Sequence, residues 1–224
     1  MMNWEFENEI LASGGIRENF ICGTDEAGRG PLAGDVYAAA VILPHGIRIA
    51  GLSDSKKLSE KNRERLYEII VEKALAYAVA SATIEEIDRY NILNAALLAM
   101  RRSVAALSAK IFPDYVLVDG GIVRGFDAFS HKGIIKGDAI SPNIAAASIL
   151  AKVTRDRYMR ELDDIYPFYH FKKNKGYATK EHIFRLKTFG ECPAHRKSFL
   201  KNIISENFQT QIEIEQNYEA ARKK

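Results

Sequence analysis

The chain has 224 residues, 47% of them hydrophobic and 27% charged, which matches globular averages and excludes disorder or coiled coil as whole-chain readings. Cys22 and Cys192 are its only cysteines and form no CxxC, so a secreted disulfide scaffold and a zinc ribbon are excluded and a reducing compartment fits. Net charge is +3, and neither a basic-then-apolar leader nor a membrane-length apolar run occurs, so the expectation is a soluble, cytoplasmic protein with no membrane partner.

In chain order, Asn19 to Thr24 (NFICGT) and Val36 to Leu43 (VYAAAVIL) are β-rich apolar runs divided by a Gly-dense turn, and they predict neighbouring strands. Glu60 to Tyr77 carries apolar residues at helical spacing behind Ser59, a residue type that caps helices. Tyr77 to Thr83 alternates as a third strand. Asn91 to Ala109 is Ala/Leu-rich without Gly or Pro, a helix to pack on the sheet. Tyr115 to Val118 (YVLV), closed by Asp119, Gly120 and Gly121, predicts a central strand, and Gly133 to Lys136 a further, less apolar one. Pro142 opens a long helix that stops at Pro167, with Pro in the first turn where its missing N–H costs nothing. A loop (FKKNKGYA), a helix from Lys180 to Thr188, a break at Gly190 to Pro193, a short helical stretch and a charged C-terminal helix follow. No repeat or linker marks a boundary. The expected organisation is one α/β domain over residues 1–200, including a basic segment at about 170–200, and a helical tail over 201–224.

Four carboxylates sit where a strand or its following loop meets a Gly-containing turn: Asp25 and Glu26 in GTDEAGRG, Asp119 in VLVDGG, and Asp138 in IKGDAIS. Strand ends are where α/β sheets place ligands. If these ends converge, the mutual repulsion of the carboxylates calls for hard divalent cations, Mg²⁺ or Mn²⁺, and two such ions suit phosphodiester hydrolysis. Against this, Asp before Gly is a common turn former, and Asp138 also suits a helix cap. Asp25 and Glu26 are adjacent, so in an ideal strand they point to opposite faces; both can serve one site only at a strand end. From His170 to Lys201 there are nine Lys and Arg against Glu181 and Glu191, with Phe171, Tyr177 and Phe199 interleaved. That is the footprint of a surface that follows a phosphate backbone, although a solvated basic face reads the same way. Gly28, Gly30 and Ala33 formally match a dinucleotide fingerprint, but a strand rather than a helix follows them. Cys192 and His195 lack a second ligand pair for zinc, and the remaining histidines are scattered.

The motifs GTDEAGRGPLAG, DSKKLS, LVDGG, KGDAISPNIAAASILAKVTRDR and KNKGYATKEH, in this order from about residue 20 to 200, resemble those of the type 2 ribonuclease H family, the bacterial ribonucleases HII. The resemblance implies the ribonuclease H-like fold, a five-stranded mixed sheet with antiparallel strands at one side, flanked by helices and extended by C-terminal helices. It implies that Asp25, Glu26, Asp119 and Asp138 hold the catalytic ions. It implies cleavage of the RNA strand of RNA–DNA hybrids and cutting 5′ of single ribonucleotides embedded in duplex DNA, leaving 3′-hydroxyl and 5′-phosphate ends. Gly28, Arg29 and Gly30 match the motif that senses one 2′-hydroxyl through the backbone, with Arg29 on the adjacent phosphate. Tyr177 matches a tyrosine that packs against the following sugar, and Lys56 and Lys57 match phosphate contacts. Asp156 in VTRDR falls outside the implied set and suits an ion pair on its own helix. Asp35 stands where many members carry Pro or a small apolar residue, and an added carboxylate there bears on ion affinity. Residues 202–224 match no motif. The implied partner is nucleic acid and the implied state a monomer. Two alternatives stay open, a structure-specific DNA nuclease of the same superfamily and a non-catalytic hybrid-binding module.

Overall fold

The computed structural model describes residues 3–52, 58–201 and 203. Lys56, Lys57 and nearly all of the expected C-terminal tail lie outside the described residues. The chain divides into two compact units, Met1–Arg29 with Asp35–Tyr158, and Gly30–Gly34 with Met159–Lys224.

The first unit is built on a five-stranded sheet in the order β3-β2-β1-β4-β5, formed by β1 (Ile21–Ala27), β2 (Val36–Ile42), β3 (Ala76–Ala82), β4 (Tyr115–Asp119) and β5 (Ser130–Ile134). β1, β2 and β3 pair antiparallel, while β1–β4 and β4–β5 pair parallel. The mixed sheet with its antiparallel side is the one the resemblance implied. Short, buried, continuously apolar segments such as YVLV suit the interior position of β4, where both faces are covered. β5 begins three residues before the expected Gly133 and ends two before the expected Lys136. Its parallel register runs from Tyr115↔Ser130 to Asp119↔Ile134, so Ile134 alone turns fully inward and Ile135 stays exposed.

Period-2 alternation in β1 assigns each face a helix. Gly23 meets α5 (Pro142–Ile165): a Cβ there would overlap the main chain of Asn143 and Ile144. Thr24, on the opposite face, meets Ser103 of α4 (Ile92–Ser108), hydroxyl to hydroxyl at 3.4 Å. The close approach of α5 rests on small residues, since Ala145, Ala146, Ala147 and Ala151 are fully buried against Ala39 and Val41 of β2 and Leu66 and Ile70 of α2 (Glu60–Lys73). Ser59 caps α2 by accepting from the Asn62 N–H at 3.3 Å. Two helices were not anticipated. α1 (Glu5–Ala12) buries Glu7, and α3 (Ile84–Tyr90) opens on a Thr83–Glu86 capping box whose T-x-x-E pattern is visible in the sequence.

The second unit contains α6 (Phe171–Asn174), where a loop was expected, and α7 (Lys180–Phe189), capped by Thr179. Its core includes Leu32, Leu186 and Leu200. The segment 30–34 is held here by backbone bonds, Leu32 N–H to the Gly176 carbonyl and Gly34 N–H to the Ala194 carbonyl, each 2.8 Å.

Candidate active site

The alternation that separates α4 from α5 also separates the two adjacent carboxylates. Asp25 shares the Gly23 face, and its carboxylate is bonded to the Ser148 side chain of α5 with Lys152 nearby. Glu26 shares the Thr24 face and lines a cavity of about 120 Å³ with Arg29, Asp119, and Leu93 and Leu97 of α4. β1 stays in register with β2 through both residues, so no bend brings them together. Both nevertheless lie within electrostatic range of Asp119, because β1 ends at Ala27, beside the end of its parallel neighbour β4 at Asp119.

Electrostatics join what the strand geometry splits. Asp25 is 5% exposed, and burial, followed by the charges of Glu26 and Asp119, holds its carboxyl well above the usual range, opposed by the Ser148 hydrogen bond and the Lys152 charge. Burial likewise raises Glu26, opposed by Arg29 at 3.2 Å, while Asp119 raises it further. One Asp25 oxygen accepts the Glu26 N–H at 2.7 Å. Asp119 Oδ1 accepts the Gly137 N–H at 2.7 Å, which ties the end of β4 to the 3₁₀ turn Gly137–Ala139 that carries buried Asp138. Among the described residues, no three His, Cys, Asp or Glu side chains already stand where one metal ion could be held. The donor set still fits a hard divalent cation: it is oxygen-only, and the charges of Glu26 and Asp119 add to burial in holding the Asp25 carboxyl up, an opposition that a cation relieves.

Gly28 has a positive φ of +100°, and a Cβ there would overlap the Arg155 side chain. Arg155 is itself buried and donates from Nε to the Asp35 carbonyl at 3.1 Å, so Gly28 is kept small partly by the protein's own packing. In the second unit, Gly30 lies beside Tyr177, whose ring would stand 3.6 Å from a Cβ. The Tyr177 ring is half exposed, and its carbonyl meets His182 Nδ1 at 2.9 Å.

Several polar residues that organise these groups had no reading in the sequence. Ser148 and Lys152 stand four residues apart on α5, with Lys152 donating to Ser148 at 2.7 Å; polar residues at that spacing inside an Ala-rich helix are the available signal. Arg196 counted toward the basic footprint, yet it is fully buried and donates to the Pro31 and Gly34 carbonyls at 2.8 Å each. Phe171, counted among the interleaved aromatics, is also fully buried, stacked on Tyr169 and edge-on to His182. Lys172, Lys180, Lys187, Lys197 and Lys201 remain exposed. Asp156 pairs with Arg63 of α2 at 3.4 Å rather than within its own helix. The Asp35 carboxylate accepts the Ile84 N–H at the start of α3, 3.2 Å away, which directs it to helix capping.

A five-stranded mixed sheet with acidic residues at the ends of its parallel pair defines a ribonuclease H-like nuclease. The ribonuclease H2 of Pyrococcus horikoshii OT3 is similar with a TM-score of 0.65 at 26% identity, over 85% of this chain and 98% of that one. Bst-RNase HIII in complex with Mn²⁺ shares the fold with a TM-score of 0.63 at 20% identity, over 80% of this chain and 64% of that one. A family model described as Ribonuclease HII matches residues 22–202. The ribonuclease HII of Caldicellulosiruptor bescii is 52% identical over 202 residues, covering 90% of this chain and 95% of that one. The chain belongs to the ribonuclease HII family. It is a hydrolytic endoribonuclease of the ribonuclease H type, which acts on nucleic acid. No helix among the described residues is long and apolar enough to cross a membrane.

Proposed function

We propose that the protein cuts the RNA strand of RNA–DNA hybrids and the 5′ side of single ribonucleotides embedded in duplex DNA, leaving 3′-hydroxyl and 5′-phosphate ends. The observation that carries this reading is the electrostatic grouping of Asp25, Glu26 and Asp119 at the paired ends of β1 and β4. Asp25, Glu26, Asp119 and Asp138 would hold the two Mg²⁺ or Mn²⁺ ions of this reading, their oxygens being the hard donors such ions take. Bound ions of this kind polarise a phosphodiester and acidify a water for attack; the Mn²⁺ complex of a ribonuclease HIII with the same fold supports that choice.

The remaining work falls to the chain itself. Ser148 and the Gly137 N–H fix the orientations of Asp25 and Asp119. Arg29, more than half exposed and 3.2 Å from Glu26, contacts a substrate phosphate, for which its planar fork suits bidentate contact. The backbone of Gly28, Arg29 and Gly30 reads the 2′-hydroxyl, because no Cβ on either glycine keeps the ribose away. Tyr177 presents a flat, half-exposed ring to the next sugar, supported by Gly30 and His182. The enzyme acts as a monomer, and the free thiols of Cys22 and Cys192 suit the reducing cytoplasm.

The test is cleavage of an end-labelled duplex with one ribonucleotide, beside an all-DNA duplex and an RNA–DNA hybrid, with Mg²⁺, Mn²⁺ or EDTA. The expected result is one divalent-dependent cut immediately 5′ of the ribonucleotide and none in DNA alone. Cutting of the all-DNA duplex would replace the reading by a structure-specific DNA nuclease; salt-sensitive binding with no cutting under either ion would replace it by a binding module.

A further inference from the structure

A second cavity, of about 420 Å³, lies in the first unit between α3, α4 and the loop after β4, lined by Glu86, Tyr90, Asn94, Arg101, Arg102 and Arg124 together with Leu97 and Leu98. Leu97 also lines the cavity that holds Glu26, Arg29 and Asp119, and the loop that supplies Gly121 and Ile122 to that cavity supplies Arg124 to this one. The two cavities are therefore neighbours along one helix and one loop.

The three arginines are not equivalent. Arg102 is bound by Glu86 through two 2.7 Å contacts, so its charge is matched. Arg101 and Arg124 make no ion pair among the described residues. Arg101 is half-buried and lies against Gly125, whose φ is +77° and whose missing Cβ leaves the space that the Arg101 side chain occupies. A bulkier residue there would push the guanidinium away. Tyr90 adds a 41% exposed ring, and Asn94 donates to the Tyr90 carbonyl at 3.0 Å, fixing that corner. Two unmatched guanidiniums, one of them preorganised, beside an exposed aromatic ring form a receptor for a phosphate ester.

We infer that Arg101 and Arg124 form a phosphate subsite for a phosphodiester of the substrate strand away from the cut, so that the strand runs from the carboxylates along α4. This rests on the proposed cleavage of duplexes with embedded ribonucleotides. The two residues position substrate and take no part in the chemistry.

The test measures kcat and KM on a duplex with one ribonucleotide across a potassium chloride series, for wild type, Arg101→Gln, Arg124→Gln, the double variant, Arg101→Lys, and Arg48→Gln. Arg48→Gln removes one charge from an exposed position elsewhere and controls for net charge. Each cavity variant is expected to raise KM several-fold, and the double variant about tenfold, with kcat within about twofold of wild type. The log–log salt slope of kcat/KM should fall by about one per lost contact. Arg101→Lys should keep the slope, and Arg48→Gln should change neither. KM and slope equal to wild type in the double variant would overturn the subsite while leaving the cleavage reading intact. Loss of inhibition by inorganic phosphate with duplex KM unchanged would make the cavity a free-anion pocket and overturn it equally. A wild-type enzyme that fails to cut the duplex would remove both readings.

Discussion

Gly23→Ala is the sharpest single test of how β1 and α5 are joined. A Cβ on Gly23 would overlap the main chain at Asn143 and Ile144 and stand 2.7 Å from the Asn143 Cβ. That main chain has little room to retreat, because Asn143 is 1% exposed and its Oδ1 accepts the Leu43 N–H at 2.9 Å. Overpacking costs about 1–3 kcal/mol where flexible side chains can yield; with backbone on both sides the upper figure, about 3 kcal/mol, applies. For a chain of this size that lowers the melting temperature by about 6–12 °C. Gly46→Ala is the matched control: its φ is +78° and nothing lies within 4 Å of the added Cβ. There only left-handed backbone strain remains, about 1 kcal/mol and about 2–4 °C. Thermal melts and urea titrations of both variants decide the matter, with kcat as a second readout, since Asp25 lies two residues along on the same face and must shift with β1. A Gly23→Ala protein that melts no lower than Gly46→Ala would refute the tight β1–α5 contact and the placement of Ser148 against Asp25 that depends on it.

Asp119→Asn keeps an oxygen to accept the Gly137 N–H and removes one charge from beside Asp25, so stability should hold within about 1 kcal/mol of wild type while kcat falls about a hundredfold or more; unchanged turnover would remove Asp119 from the mechanism. Tyr177→Ala removes a half-exposed ring from Gly30, and should cost embedded-ribonucleotide cleavage about tenfold with little change in melting; an equal rate would make it an ordinary loop aromatic. Burial and the neighbouring His182 push His195 down to about 4. The folded form then binds fewer protons than the unfolded form between that value and the usual histidine range, so stability rises with pH through this window. On acidification about 3 kcal/mol should be lost between roughly pH 6.5 and pH 4. Urea titrations across that range should show a flatter profile for His195→Asn, and an equally steep one would exonerate the histidine pair. Glu7 is buried with its carboxyl raised by burial, so Glu7→Gln should gain stability relative to wild type as pH rises above the usual carboxylate range, and a loss would contradict it.

The strands and long helices were legible because their signals are local. Period-2 and continuous apolar runs gave β1, β2, β3 and β4, and Ser59 with Pro142 marked the starts of α2 and α5. α3 was missed although its capping box is written in Thr83 and Glu86; only seven residues long, it has too few turns to display a period. α6 follows His170 and precedes Lys175, both in left-handed backbone, a tertiary constraint with no sequence period to announce it. The acidic residues of the candidate site could be named from their turns, but their support could not. Ser148 and Lys152 sit in a helix whose Ala content advertises packing alone. Arg196 and Phe171 belong to a segment whose composition reads as surface, and composition does not reveal that backbone carbonyls of Pro31 and Gly34 wait for a buried guanidinium.

The adjacency of Asp25 and Glu26 is the instructive conflict. A strand must send them to opposite faces, and β1 does so without a bulge, so the cooperation that the proposed function asks of them depends on a sheet end where β4 brings Asp119 within electrostatic range of both. Such a site needs both faces packed tightly up to the last residue of the strand. Gly23 provides this against the main chain of α5, and Gly28 does so against Arg155. The first glycine of the GRG motif therefore leaves space for a buried arginine, in addition to the open backbone toward a ribose that the proposed function asks of it. Loss of activity in Gly28→Ala would not by itself demonstrate a substrate contact, because displacement of Arg155 predicts the same loss. The double variant Gly28→Ala with Arg155→Ala isolates the packing demand: restored activity would show that the overlap dominates, whereas activity that stays low would place the demand on the Gly28 backbone itself, in its left-handed φ of +100° or in its approach to the ribose.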